Sequence, residues 1–130
     1  MNGEEIIWKP HVTVAAVAED GGRFLLVEEQ IDGKAVLNQP AGHLEEGESL
    51  LAAVIRETLE ETAWQFQPAA LVGLYRWRQP DSGATFLRIT FSGTCTAHDP
   101  GRQLDSGIAQ ALWLSVPEIH RQATWLRSPM

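Results

Sequence analysis

The sequence predicts an α/β (α+β) fold, a mixed β-sheet with helices packed against it. Three observations predict it. Apolar strand-like segments and two helical ones follow the order β-β-β-α-β-β-β-α. One segment in the middle, Ser49 to Thr62, has helical periodicity and no internal breaker. Asp-Gly and Gly-Gly pairs separate the short strands. A chain of 130 residues and 14.4 kDa has room for a single domain spanning 1–130, with a core that needs no staples.

The first strand runs from His11 to Ala18, rich in Val and Ala, and ends at the turn Glu19-Asp20-Gly21-Gly22. Arg23 to Glu29 is the second, Asp32-Gly33 turns the chain, and Ala35-Val36-Leu37 is a short third. Asn38 to Gly47 reads as a loop broken by Pro40, Gly42 and Gly47. The helix follows, its apolar stripe formed by Leu50, Leu51, Val54, Ile55 and Leu59, and it has ended by Pro68. Ala70 to Arg78 and Ala84 to Gly93 form a hairpin across Pro80-Asp81-Ser82-Gly83. Ala111 to Ser115 is a further strand. Pro117 to Gln122 opens a second helix, capped near Ser115 or Val116.

Composition excludes several function classes. No apolar run reaches the ~18 residues of a membrane span. The acidic start, Met1-Asn2-Gly3-Glu4-Glu5, lacks the apolar region of a signal peptide. A single cysteine, Cys95, rules out an internal disulfide and a multi-cysteine zinc site, and reads as a packed thiol. The expected setting is the reducing cytoplasm. The net charge of −7 leaves no basic footprint for a nucleic-acid backbone or an anionic membrane. The acidity is concentrated: residues 45–61 carry six glutamates against one cation, Arg56.

That concentration points to chemistry. On a helix Glu57, Glu60 and Glu61 fall within an arc of roughly 100°, on the face opposite the leucines. Like charges at these spacings repel, and carboxylates in a last turn oppose the helix dipole. A divalent cation resolves both, because hard oxygen ligands suit Mg²⁺ or Mn²⁺. The plainer reading is a solvated charged face. Gly42, Gly47 and Glu48 just before the helix favour the cation, since backbone carbonyls can approach it there. Arg56 either braces a glutamate in the cluster or makes an ordinary helix ion pair of ~0.5 kcal/mol or less.

Gly42, five residues, Glu48, seven residues, then Arg56-Glu57-Thr58-Leu59-Glu60-Glu61 resembles the Nudix box of the Nudix (MutT-like) hydrolases. The stretches His11 to Ala15, Asn38 to Glu45, Phe86 to Arg88 and Leu126 to Pro129 resemble the branch of that family that acts on nucleoside tri- and diphosphates. Two positions depart from the pattern. Ala63 replaces a box glycine, so the helix is expected to end differently or to carry a left-handed penalty of ~1–2 kcal/mol. Thr58 replaces a bulky apolar residue, and Trp64 keeps the last position apolar. The chain also stops soon after Pro129, so a C-terminal helix of such relatives is expected to be missing.

The resemblance implies a Nudix-like α/β/α sandwich with a mixed β-sheet. It implies a magnesium-dependent hydrolase of nucleoside tri- and diphosphates and related pyrophosphates, including hydroxymethylpyrimidine pyrophosphate. It assigns metal binding to Glu57, Glu60, Glu61 and the Gly42 carbonyl, and catalysis to Glu57, Arg56 and Glu60, with Glu57 as the base. Outside the box only Asp99 or Asp105 offers an extra ligand or base late in the chain. Substrate contacts are assigned to His43, Tyr75 and Arg88. Arg88 reads as an exposed cation or a phosphate clamp, while Tyr75 and Trp77 read as packing or as a stacking surface. His11 and His43 are more often structural, and Trp8, Trp113 and Trp125 read as packing. Two alternatives stay open: a pyrophosphatase of ADP-ribose, a dinucleotide or an oxidised nucleotide, and a non-catalytic nucleotide-binding regulatory module.

Overall fold

A computed structural model describes residues 6–122. Trp125 and the stretch 126–129 lie outside the described residues, as do residues 1–5. The strands are β1 (His11–Asp20), β2 (Arg23–Ile31), β3 (Lys34–Asn38), β4 (Ala41–His43), β5 (Trp64–Arg78), β6 (Thr85–His98) and β7 (Ile108–Ser115). The helices are α1 (Leu50–Thr62) and α2 (Val116–Arg121). The predicted order holds, with one strand added: β4 lies inside the segment expected to be a loop. It forms because Thr13, Val14 and Ala15 of β1 offer it an edge.

The sheet runs β3-β2-β1-β6-β5, with β4 beside β1 and β7 beside β2. β1 and β6 pair in parallel over eight residues, and the other pairs are antiparallel, so the sheet is mixed. β1 meets β2 only beside their shared turn, at Glu19–Phe24 and Asp20–Arg23. The two strands then diverge, β1 toward β4 and β6, β2 toward β3 and β7. At the turn, Gly21 and Gly22 both have positive φ, 59° and 84°, which side chains resist.

Adjacent residues of β2 show the layering. Leu25 joins the main core of Val14, Ala16, Val54, Phe66, Ile89 and Phe91. Leu26 joins Leu37 and Leu114, against Ile119 of α2. Successive strand residues face opposite ways, so α1 and α2 cover opposite faces, giving α/β/α layers.

The buried stripe of α1 differs from the predicted one. Leu50 and Leu51 are 36% and 50% exposed. The buried residues are Ala53, Val54, Thr58 and Thr62, small enough to bring the helix axis close to the sheet. The threonine hydroxyls donate to the carbonyls of Val54 (2.7 Å) and Thr58 (2.6 Å), which removes the cost of burying them. Glu61 lies two turns beyond Val54, so the acidic residues border the sheet-facing side rather than the face turned away from it. Ser49 caps the helix, its side chain accepting from Ala52 N–H at 3.0 Å.

The strands read from sequence are all longer than their patterns, three of them by three residues or more. β5 begins at Trp64 rather than Ala70, and β6 continues to His98 rather than Gly93. Register shifts at Gln65/Phe66, Pro68/Ala70 and Leu71/Gly73 interrupt the alternation by which a strand is read. Pro68 is tolerated because β5 is an edge strand. Opposite it, a Cβ on Gly93 would lie 2.1 Å from the Gln67 carbonyl oxygen. β7 starts at Ile108 rather than Ala111, past a shift between Glu28 and Glu29 of β2.

Candidate active site

The acidic end of α1 packs over β4. Gly42 pairs with Val14, and the Glu57 carboxylate lies directly on it: a Cβ at position 42 would fall 1.8 Å from Glu57 Oε2. Glycine is required here by close approach. One residue earlier, the Ala41 N–H donates to Glu61 Oε1 at 2.9 Å. The segment read from sequence as a loop bearing the Gly42 carbonyl is thus the seat of two of the box glutamates.

Arg56 organises the outer side. Its Nε and Nη2 donate to the two oxygens of Glu48 at 2.6 and 3.0 Å, a bidentate pair. Nη1 donates to Glu57 Oε1 at 2.5 Å and Glu60 Oε1 at 3.0 Å. Nη2 also reaches the His43 carbonyl at 3.1 Å. Glu48 stabilises the guanidinium charge most, with Glu57 adding to it, and the guanidinium in turn holds the Glu48 carboxyl below its usual range. The wider of the two sequence readings of Arg56 is the one seen. It hydrogen-bonds three glutamates and the β4 backbone and lies 3.6 Å from a fourth, Glu45, where a helix pair would join one.

A third element approaches from the β6–β7 connection. The Asp105 N–H donates to the Glu60 carbonyl at 3.0 Å, and the Asp99 N–H to the Ala63 carbonyl at 2.9 Å. This docks the connection on the end of α1. Carboxylate oxygens of Glu57, Glu60 and Asp105 then come within 4.8 Å of one another. Asp99 does not enter that group among the described residues, and neither does Glu61, which is turned to Ala41. Of the two late aspartates weighed from sequence, the site takes Asp105.

Ala63 keeps the left-handed helix ending, with φ 63° and ψ 15°, and its N–H reaches the Leu59 carbonyl at 2.9 Å. The expected different ending is not found. The methyl is buried (3% exposed) beside Trp64, which stacks on His98 at 4.5 Å and meets Trp113 edge-on. That packing holds the strained residue in place.

Burial, the largest influence, raises the Glu57 carboxyl above its ordinary value. The Arg56 guanidinium pulls it down, and the Glu60 and Asp105 charges push it back up. Glu61 is pushed up to about 8, first by burial, with the Ala41 N–H opposing and Glu57, Glu29 and Asp105 adding to it. A crowd of carboxylates held this way fits a hard divalent cation, whose charge would offset both burial and repulsion.

The glutamates open into a cleft of about 1020 Å³. Its floor follows from register. His43 pairs with Thr13, Thr13 with Arg88, and Arg88 with Tyr75, so four strands place four side chains in one row. A second row holds His11, Phe86 and Trp77. The predicted contacts His43, Tyr75 and Arg88 are therefore brought together in one cleft with Glu57 and Glu61. Sequence reading missed Gln39, whose Oε1 accepts from Arg88 Nη1 at 3.2 Å, and Glu29, which lines the cleft from β2. Gln39 lies in the stretch Asn38 to Glu45 without a role being assigned to it there, and nothing in the sequence marks Glu29.

Comparison with known proteins agrees with this geometry. A NUDIX domain profile matches residues 9–130. Phosphatase NudJ of Escherichia coli K12 is 46% identical over 124 residues, 95% of this chain and 80% of that protein. The same figures hold for Phosphatase NudJ of Shigella flexneri. A NUDIX hydrolase from Nitrosomonas europaea superposes with a TM-score of 0.90 at 51% identity, over 93% of this chain and 82% of that one. The NUDIX domain of Shewanella oneidensis NrtR, complexed with ADP ribose, shares the fold at 17% identity and a TM-score of 0.72, over 89% of this chain and 79% of that one. Nudix hydrolases use divalent metals, and the acidic group at the end of α1 has the donors for one. The chain belongs to the Nudix family and is a hydrolase of phosphoanhydride bonds.

Proposed function

We propose that this chain is a magnesium-dependent phosphohydrolase of nucleoside tri- and diphosphates and related pyrophosphates, hydroxymethylpyrimidine pyrophosphate among them, acting in the cytoplasm as a single Nudix domain. The observation that carries it is the convergence of Glu57, Glu60 and Asp105 within 4.8 Å, with Glu57 opening into the ring-lined cleft. Glu57 and Glu60 hold the cation, with Glu61 and the Gly42 carbonyl beside them; Mn²⁺ is an alternative ion. When bound, the ion neutralises phosphate charge and lowers the pKa of an attacking water.

The protein's own part is positioning. Arg56 fixes Glu57 and Glu60 through one nitrogen, Nη1, and ties both to Glu48 and to the β4 backbone. Glu57, seated on Gly42 and facing the cleft, accepts the proton of the water. His43 beside the carboxylates, and Arg88 and Tyr75 farther along the cleft, contact the substrate. Phosphoryl transfer depends on such placement more than on covalent chemistry.

The test is a product panel in Mg²⁺: nucleoside di- and triphosphates, ADP-ribose, a dinucleoside polyphosphate and hydroxymethylpyrimidine pyrophosphate. Phosphatase is added in parallel wells. Direct orthophosphate from the di- and triphosphates is the expected result. Signal only after phosphatase, from ADP-ribose or a dinucleotide, overturns the substrate class, and nucleotide binding without any product overturns the catalytic reading.

A further inference from the structure

We infer that the open edge of β5 docks residues 4–8 of a second copy of this chain, so that two copies exchange these segments about a two-fold axis. β5 ends the sheet, and among the described residues no strand pairs with its outer side. The Gln79 N–H donates to the Ala84 carbonyl at 2.8 Å, so Gln79 bonds toward β6. Alternation then turns the N–H and C=O of Arg78, Arg76 and Leu74 outward. Pro68 and the register shifts blunt the edge as far as Gly73; from there to Arg78 it is regular. The side chains along it are open as well. Leu74 pairs with Ile89 and Leu71 with Phe91, both in the main core. Leu74 and Leu71 are nonetheless 62% and 57% exposed, so the cover over their partners does not reach them.

The segment before β1 has the matching pattern. Ile6, Ile7 and Trp8 are 92%, 70% and 63% exposed, three large apolar side chains in a row left open. Glu4 and Glu5 precede them, and residues 4–8 hold no cation. Residues 69–78 hold Arg76 and Arg78 and no acid. An antiparallel register that sets Ile6 opposite Leu74 sets Glu4 opposite Arg76 and Trp8 opposite Val72, so charge and apolar groups match together. The segment cannot reach the β5 of its own chain in this register. His11 pairs with Phe86, and Phe86 with Trp77, so His11 is level with Trp77. Val72 lies five residues back along β5 from Trp77, ~17 Å away. Trp8 is three residues from His11, a reach of ~11 Å. A second copy supplies the segment instead, and reciprocity about a two-fold axis docks two segments at once.

The test is sedimentation velocity of the full chain across the micromolar range, with circular dichroism of each variant as the fold check. The wild type should form a dimer of twice 14.4 kDa. Leu74→Lys and Ile6→Lys, both at open positions, should each weaken it at least about 10-fold. Arg76→Glu should weaken it about 5-fold, and adding Glu4→Lys should restore most of that loss. A wild type that stays monomeric overturns the docking. A dimer that folded Leu74→Lys and Ile6→Lys leave as tight as before overturns it too. So does a folded double variant, Arg76→Glu with Glu4→Lys, that dimerises no more tightly than Arg76→Glu alone. The product panel reads hydrolysis separately, so the docking and the phosphohydrolase reading can each fail alone.

Discussion

At the scale of the residue, Gly42 is the position most sharply determined by its surroundings. The Glu57 carboxylate occupies the space a Cβ would need. Gly42→Ala should therefore displace Glu57 and lower kcat/KM about 100-fold, the cost of an ångström-scale misplacement at a reacting centre. A kinetic assay with a fold check by circular dichroism reads this out. Arg56→Lys keeps the charge but loses the fork that bonds Glu48 twice and spans Glu57 and Glu60. It should lower activity at least 10-fold, which a conservative surface exchange would not. Ala63 pays a left-handed penalty of about 1–2 kcal/mol, partly offset by its buried methyl, worth ~0.8 kcal/mol. Ala63→Gly should raise the urea midpoint by an equivalent of up to about 1 kcal/mol; a lower midpoint would mean the methyl's packing dominates. Cys95 packs against the core, and burial, with the Asp20 charge adding to it, pushes its thiol up to about 11 from 9.0. Thiolate is the reactive form, so alkylation at pH 8 should run roughly 100-fold slower than for a free cysteine, and match it once urea unfolds the chain.

At the scale of the element, α1 shows what a sequence reveals and what it hides. Its limits were legible because Ser49 caps one end and the breakers stand outside it. Its orientation was misread because leucines outweigh alanine and threonine in any hydrophobic pattern. Here Leu50 and Leu51 are open, and Thr58 and Thr62 are buried with their hydroxyls bonded within the helix. The same cause hid β4: three residues carry no readable period, and pairing with β1 alone makes them a strand. β5 was cut short because bulges shift its alternation and Pro68 looks like a terminator. The convergence of Glu57 and Glu60 was legible from their spacing, whereas Glu61, grouped with them from sequence, is turned to the Ala41 N–H instead. Asp105 could be named only as one of two late aspartates, and the approach of its carboxylate to Glu57 and Glu60 separates it from Asp99. Gln39 was not legible, because its contact with Arg88 joins residues far apart in the chain.

At the scale of the whole molecule, the net charge of −7 resolves into a local feature: six glutamates and Arg56 between residues 45 and 61. A ligand that binds only the folded state stabilises it by mass action. Mg²⁺ should thus raise the Tm of the wild type in a concentration-dependent way and move the Glu57→Gln variant much less, as differential scanning fluorimetry would record. Among the described residues no helix is long and apolar enough to cross a membrane. The sheet itself sets the working distance, with the carboxylates over β4, the rings on β5 and β6, and two strand spacings between β4 and β6.

In the proposed reaction Glu57, seated on Gly42 and braced by Arg56, carries a metal-dependent hydrolysis. Orthophosphate release from a nucleoside diphosphate, measured against Mg²⁺ concentration for the wild type and Glu57→Gln, tests it most directly. Saturable Mg²⁺ dependence, no release in chelator, and a loss of at least about 100-fold in the folded variant are expected. Release that persists in chelator, or a variant within a few-fold of the wild type, would contradict it.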